Sequence, residues 1–579
     1  MKPEDFFMFP KPVAQRQYEA LRAFYVEGLS ATEAAKRFGY TLSAFYSLTR
    51  DFTRLLEQDD PHGKFFVPRR IGRKPKDITG RINAFIIALR KEYLSVPDIK
   101  AILDVRGFGV SEKYVYNVIE KNGFARLPRR NGATKKKAAS AVKIEPPKSK
   151  MLTFAPEVFT SENTLCAMCL LPYLSRYGID RLIENSDYPE TKAINRLNAI
   201  LAFVALKLSN TRRYTADDAW CFDRGLGLFA GLNVLPKAAW YTSYSHRVTR
   251  RMNRSFLKGL HAIWSEMGLL SDTANLDFTA IPYYGEETQL ENNWSGSRGR
   301  GLTSILTVLA QDPDSGIITY GDTTVRHKNK SQVVLEFLDF YTEDAQGDIK
   351  YLVFDSGFTA YQNLARLDPK VKFLTIRRRG ARIVESLNQL PAEAWKKVRV
   401  ADSTGKGRSI RVNDSTIAPR DYGKDLRQIA ITGHGKIKPA LIITNDFQRP
   451  VEEMIRKYAR RWLVEKGISE QIEFFHLNKI SSSMVIKVDF DLTMSILTHN
   501  LLRLFAMDLE GHWHNTAQTL FDKFLNNSGS VEIRSDSVEV RLKKKRNLPA
   551  LLTAMEGFDG RRIHVLGGRN LNVCGETRS

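Results

Sequence analysis

The sequence predicts a mixed α/β protein in which a sheet-forming half follows an all-α N-terminal region. Three observations carry this. Helical periods broken by glycine fill the first 125 residues. From about residue 272 the pattern changes to short β-branched and aromatic runs with turns between them. Those runs then alternate with apolar helical stretches, the order that builds a mixed sheet with helices packed on it.

The N-terminal region contains two similar layouts. In "YEALRAFYVEGLSATEAAKRFGYTLSAFYSLTRDF" a helix ends near Gly28, and Ser30 begins a capping box with Glu33. That second helix stops at Gly39, and a third begins near Thr41. This is the order of a helix-turn-helix, and the third helix offers Ser43, Tyr46, Ser47 and Arg50 to DNA. In "SVPDIKAILDVRGFGVSEKYVYNVIEKNGF" the turn "RGFG" leads to Ser111, which caps a helix carrying Lys113, Tyr114, Asn117 and Lys121. An ordinary three-helix bundle would give the same pattern in each case. "VPRRIGRKPKD" lies between the layouts, and a basic, small-residue tether runs from residue 126 to 150.

Composition narrows the function classes. The 579 residues are 43% hydrophobic, enough for a large core, which excludes global disorder. The net charge of +24 favours a polyanionic partner, nucleic acid first and a membrane surface second. Four cysteines exclude a disulfide scaffold, and the pair Cys166 and Cys169 sits in an apolar run that reads as buried structure. No stretch reaches ~18 apolar residues and the first residues lack a signal-peptide pattern, so a cytoplasmic setting is expected.

Residues 151 to 270 read as mainly helical, ending in the basic amphipathic stretch "YSHRVTRRMNRSFLKGLHAIWSEMG", whose Arg247, Arg250, Arg251 and Arg254 are candidates for DNA contact. Then come a strand in "TANLDFTAIPYYG", a hairpin across "DPDSG", a helix in "SQVVLEFLDFY", and strands in "KYLVFDSG" and "VKFLTIRR". Short strands fill 396–447, a long helical stretch opens at "RPVEEMIRKYARRWLVEKG", and "SVEIRSDSVEVRLKKKR" alternates like an edge strand blunted by lysines.

The chemistry gathers at carboxylates. Asp277 lies inside the first strand, and Asp355 ends the apolar run "YLVFD". Asp355 either caps the next helix or reaches into a site that needs negative charge. Tyr458, Arg461 and Glu465 are spaced i, i+3, i+7, which puts them on one helix face. Three hard oxygen ligands suit Mg²⁺ or Mn²⁺, and two such ions serve phosphodiester displacement. Among 64 acids, spacing alone does not select this trio.

The words around these acids do. "ENNWSGSRGRGLTSILTVLAQDPDSGIITYGDTTVRHKNKSQVVLEFLDFY", "YLVFDSGFTAYQNL" and "YARRWLVEKGISEQIEFFHLNKISSSMVIKVDFDLTMSILTHNLLRLFA" resemble bacterial insertion-sequence DDE transposases, over roughly residues 155 to 550. The resemblance implies an RNase H-like catalytic core with two metal ions, Mg²⁺ or Mn²⁺, held by Asp277, Asp355 and Glu465. Tyr458 and Arg461 match the tyrosine and arginine that precede the glutamate on its helix and position a phosphate. Relatives carry a lysine where this chain has Ile472, so Lys466 or Lys479 would supply its phosphate contact. Trp294, beside Arg298 and Arg300 in "NNWSGSRGRG", is a candidate for stacking on an unpaired base, with loop packing as the plainer reading.

The expected organisation is helix-turn-helix domains at 1–65 and 66–125, a basic flexible linker at 126–150 and a helical domain at 151–270. An RNase H-like core at 271–395 and 448–510 carries a β-rich insertion at 396–447, and a C-terminal tail follows at 511–579. The expected function is transposition. The chain would bind an element's terminal inverted repeats, cut at the ends by metal-dependent hydrolysis, and join the 3′-OH ends to target DNA. The resemblance places it in the bacterial cytoplasm, on the nucleoid, working as a homodimer on double-stranded DNA. A DNA-binding regulator with an inactive core and a nuclease without strand transfer are the alternatives.

Overall fold

The computed structural model describes residues 3–57, 65, 81–91, 95–105, 108–122, 154–191, 193–211, 219–282, 291–295, 299–342, 349–401, 407–435, 439–477 and 485–576. The chain divides into two compact units, Met1–Leu94 with Val110–Gly123, and Ser95–Gly109 with Phe124–Ser579.

In the first unit Gly28 and Gly39 take φ of +75° and +70°, a region that favours glycine, and so end the helices before them. Ser30 and Glu33 form the full capping box of the helix Ala31–Arg37, and Thr41 caps Leu42–Leu56. Ala20, Ala23, Ala34 and Ala35 let the helices approach closely around Phe38 and Phe45. The second layout is divided between the units. Its helix Val96–Val105 falls in one and Glu112–Lys121 in the other. The linker residues 126–150 lie outside the described residues.

The second unit is built on a ten-stranded sheet. Its strands are β2 (Thr273–Pro282), β3 (Glu291–Ser295), β4 (Arg300–Gln311), β5 (Ile318–Val325), β6 (Tyr351–Phe354), β7 (Lys372–Ile376), β8 (Lys396–Ala401), β9 (Gly407–Ile417), β10 (Leu426–Thr432) and β11 (Ala440–Thr444). β4 pairs antiparallel with β2 and β5, while β6 runs parallel to both β2 and β7. Three antiparallel strands followed by two parallel ones form the RNase H-like core. The residue 396–447 strands do not form a separate layer. β11 pairs antiparallel with β7, and β10, β9 and β8 extend the same sheet as a meander.

The helix Val485–Asp508 packs against β5. Its buried Asn500 accepts from the Ile318 N–H and donates to the Ile318 carbonyl, giving that strand's backbone the partners a neighbouring strand would supply.

Two expectations are corrected. Residues 511–579 are not a tail. Strands β12 (Gly529–Ile533), β13 (Ser537–Leu542), β14 (Arg562–Ile563) and β15 (Arg569–Gly575) join β1 (Glu157–Ser161) in a second sheet, order β1-β12-β13-β15-β14. Nor is "SVEVRL" an edge strand, because β13 pairs with β12 on one side and β15 on the other. The lysine run follows the strand end, so it leaves both edges free to pair. Cys166 and Cys169 are wholly buried in the main core. No helix among the described residues is long and apolar enough to cross a membrane.

Candidate active site

The parallel pairing of β2 with β6 aligns Leu276 with Phe354. The next residue in each case is an aspartate, Asp277 within β2 and Asp355 just past the end of β6 with its backbone still extended. Asp277 and Asp355 therefore stand side by side, and alternation along the strands puts both on the face opposite Leu276 and Phe354, which are fully buried. Asp355 sits at the N-cap position of the short turn Ser356–Phe358, yet its side chain makes no cap hydrogen bond. The choice left open by the sequence is thus narrowed: the carboxylate is not a cap. Phe278 and Phe358, one and three residues beyond the two acids, stack at 3.7 Å and 11° in the core on the Leu276 and Phe354 side.

The third acid arrives on a helix packed against β2 and β4. Gly467 faces Gln311 of β4 so closely that a Cβ there would lie 3.0 Å from its Nε2. The helical stretch is not continuous, as the spacing had suggested. One helix, Val451–Ala459, ends at Arg460, and a second, Trp462–Glu473, begins after Arg461. The junction is tightened by i→i−3 bonds from Arg461, Leu463 and Val464, and the Arg460 carbonyl accepts from Asn275 of β2. Tyr458, Arg461 and Glu465 still converge, because the chain keeps turning with helical φ and ψ through the junction.

Arg461 is the hub. Its Nη1 donates to Asp277 Oδ2 at 2.5 Å and its Nη2 to Glu465 Oε1 at 2.6 Å. Its Nε is buried without a partner, and its guanidinium lies 5.7 Å from the centre of the Tyr458 ring. Burial pushes the Asp277 carboxyl up to about 6, and the nearby charges of Glu465 and Asp355 push the same way. Arg461 and the Phe278 N–H pull it down without cancelling the rise. Burial likewise raises the Tyr458 hydroxyl well above its ordinary range.

Sequence reasoning missed Lys330. It lies in the 3-10 turn His327–Gln332 between β5 and the helix Val333–Thr342. Its Nζ stands 4.4 Å from the Phe278 ring centre, and a Cβ on Gly357 would lie 3.2 Å from it. Its charge acts on both Asp355 and Asp277, although burial is the largest influence on the ammonium and lowers its pKa. Lys330 is one of 88 lysines and arginines and follows Asp277 by 53 positions, so only the crossover topology shows that it lies near the site.

The remaining candidates scatter. Lys466 points away from the acids, donates to the His514 carbonyl, and lines a cavity of about 970 Å³ with Arg460, Trp462, Glu470 and Arg503. Lys479 and Arg298 lie outside the described residues. Trp294 is 69% exposed on β3, and Arg300 is exposed at the start of the paired β4. In the other unit, Ser43, Tyr46 and Arg50 are exposed on Leu42–Leu56, as are Lys113 and Asn117 on Glu112–Lys121. Tyr114 instead donates its hydroxyl to Asn83. Arg250 is ion-paired with the buried Asp322 and donates to Thr324, which ties it into the fold.

Three carboxylates form a donor set of hard oxygens that suits Mg²⁺ or Mn²⁺. Among the described residues no three His, Cys, Asp or Glu side chains are gathered closely enough to hold an ion as they stand. Arg461 is bonded to both Asp277 and Glu465. The donor set fits the ions in chemistry, since Mg²⁺ needs only one or two carboxylates together with water and substrate phosphate.

Residues 273–501 match the family described as the transposase DDE domain. No curated protein matches the chain. Among solved structures, a piggyBac transposase in a synaptic complex with hairpin DNA, determined by cryo-electron microscopy, is similar at 11% identity. That similarity covers 63% of this chain and 84% of the other, with a TM-score of 0.30.

Proposed function

We propose that this chain, which carries a transposase DDE domain over residues 273–501, is a DNA transposase whose active centre is Asp277, Asp355 and Glu465. The observation that carries this reading is the β2–β6 register, which sets Asp277 beside Asp355 while Arg461 ties Asp277 to Glu465. Adjacent carboxylates repel unless a cation or proton joins them, and the Asp355 side chain makes no cap hydrogen bond that would give it a structural role.

Asp277 and Asp355 would share the divalent ions, and Glu465 would complete their ligand set once Arg461 lets it go. Bound ions supply positive charge at the attacking and leaving oxygens of a phosphodiester. Arg461 and Tyr458 orient the scissile phosphate, the arginine through the Nε that now lacks a partner. Exposed Ser43, Tyr46 and Arg50, with Lys113 and Asn117, would read the terminal repeats. Trp294 and Arg300 would meet DNA near the cut, and two copies would hold the two ends of an element.

The test is direct. Purified full-length chain, Mg²⁺ and labelled duplexes from the DNA flanking the coding region should give strand cleavage followed by joining. Cleavage without joining favours a nuclease, and binding without cleavage favours a regulator. Asp355→Asn should bind the same duplexes and leave them intact. Cleavage that survives this change sinks the assignment.

A further inference from the structure

The helix Trp462–Glu473 presents different faces to two places. One face carries Glu465, and another, through Leu463, Lys466, Gly467 and Glu470, walls the cavity of about 970 Å³. Four cations, Arg456, Arg460, Lys466 and Arg503, line that cavity against two acids, Asp314 and Glu470. Both acids are engaged. Asp314 pairs with Arg460 at 2.7 Å, and Glu470 lies 3.4 Å from His499 and accepts from the Ala517 N–H. Among the described residues Arg456, Lys466 and Arg503 form no ion pair.

Arg503 is the most confined of the three. It donates to the carbonyls of Ser315 and Asn515 at 3.3 Å and of Trp513 at 2.6 Å. These bonds fix the guanidinium in place but leave its charge unmatched and about two of its N–H groups for a ligand. Gly316 gives it room, since a Cβ there would stand 3.0 Å from Nε. Burial lowers its pKa, and the charge of Glu470 offsets only part of that. Lys466 spends one donor on the His514 carbonyl and keeps the others.

The rest of the lining asks for more than an anion. Gln311 is 5% exposed, and its Oε1 has no hydrogen-bond partner. That acceptor calls for an N–H or O–H, which a bare phosphate dianion lacks. Pro313, Val400 and the Trp462 indole give apolar wall, and the volume is that of a site for a whole small molecule.

We propose that this cavity binds a nucleoside phosphate, with the phosphate on Arg503 and Lys466, Arg456 at the mouth, and the nucleoside against Trp462 and Gln311. A free nucleotide and the terminal nucleotide of a DNA strand share this chemistry. The site uses none of the three acids and no metal, so it stands apart from the reading of the active centre. Lys466 directly follows Glu465, so an occupant braces the helix that presents that acid.

The experiment titrates ADP, adenosine and inorganic phosphate into the full-length chain in EDTA and reads binding by isothermal calorimetry. The variants are Lys466→Met, Lys466→Arg, Arg456→Ala, Arg503→Met and Asp355→Asn, each checked by circular dichroism. Wild type should bind a single ADP per chain, on the order of tenfold more tightly than adenosine or phosphate alone, because each fragment reaches only part of the lining. Lys466→Met should weaken ADP by about fivefold or more, for loss of a charge-assisted bond. Arg456→Ala should weaken it by only about twofold, since a rim charge is screened. Lys466→Arg should stay within about threefold of wild type, the charge being kept. Folded Arg503→Met should lose binding, and if that variant does not fold, Lys466→Met decides. Asp355→Asn should bind ADP as wild type does. Displacement of ADP by a 5′-phosphorylated tetranucleotide assigns the pocket to a strand end, and no displacement assigns it to a free nucleotide; either result keeps the site. No saturable ADP binding by wild type, or undiminished affinity in folded Lys466→Met, overturns the proposal. Loss of ADP binding in Asp355→Asn overturns it too, by placing the nucleotide at the acids. The metal reading is untouched by these outcomes, because EDTA is present throughout and cleavage is measured separately.

Discussion

Arg461 and Asp277 form an ion pair at 2.5 Å in which neither side chain is more than 15% exposed. The same guanidinium reaches Glu465, so one residue links a strand carboxylate to a helix carboxylate. The pair explains why Asp277 can remain where burial and two like charges oppose its ionisation. It also makes the metal-free site a closed electrostatic unit that must open before Glu465 can serve as a ligand.

Arg461→Met should therefore destabilise the metal-free protein. Removing one partner of a buried pair leaves the other uncompensated, at a cost of roughly 3 kcal/mol. Thermal melts in EDTA should show the loss, and Mg²⁺ should recover part of it by taking the guanidinium's place beside Asp277. Melting temperatures lowered equally with and without Mg²⁺ would mean that the arginine only packs.

Glu470 separates position on the helix from position in the site. It lies five residues past Glu465, but it faces the 970 Å³ cavity, near His499 at 3.4 Å and the Ala517 N–H at 3.3 Å. Burial raises its pKa, but His499, the Ala517 N–H and Lys466 outweigh burial and hold it below the usual range. A depressed carboxylate contributes stability that is present at neutral pH and lost as pH falls through its folded pKa. Glu470→Gln should melt earlier at pH 7, with the difference closing in acid, and should still cut DNA. Exposed Glu473→Gln should change neither property. A cleavage defect in well-folded Glu470→Gln would move the active centre toward the cavity.

Much of the fold was legible because local rules and tertiary packing agree. Ser30 with Glu33, the glycine stops at Gly28 and Gly39, and the hairpin across Asp312–Ile317 are set by nearby residues, so they could be read in order. The three acids were found through the words around them. Their adjacency rests on a parallel register between strands more than 70 residues apart, which no periodicity contains. Lys330 was missed for the same reason. β13 was misread because an alternating strand ending in lysines looks alike at an edge and in a sheet interior until its partners are known. Here one partner, β15, comes from the last residues of the chain.

The charge of +24 makes a prediction of its own. Affinity for a nonspecific duplex should fall linearly on a log–log salt plot, with a slope of about −0.9 for each phosphate neutralised. Tyr46→Ala and Arg50→Ala lie on an exposed helix face, so they should weaken preference for end sequences without lowering the melting temperature. A flat salt series would remove the phosphate contacts, and an unchanged preference would place sequence reading elsewhere.

Asp277 gives the most demanding test, because its two roles predict opposite signs. Its folded pKa of about 6 lies above the ordinary aspartate value of ~3.9. Between those values the folded protein binds more protons than the unfolded chain, so stability falls as pH rises through the window. Above it the ionised carboxylate is a net burden of roughly 2–3 kcal/mol, two pH units at 1.4 kcal/mol each. Asp277→Asn removes that burden. In EDTA the variant should melt above wild type at pH 7.5, and the gap should close as pH falls toward 4. In Mg²⁺ the order should narrow or reverse, because only wild type gains from the ion. Cleavage should be absent from the variant at every pH. A structural aspartate held by Arg461 alone predicts the reverse in EDTA, with Asp277→Asn melting lower at pH 7.5, and that result would remove Asp277 from the proposed centre.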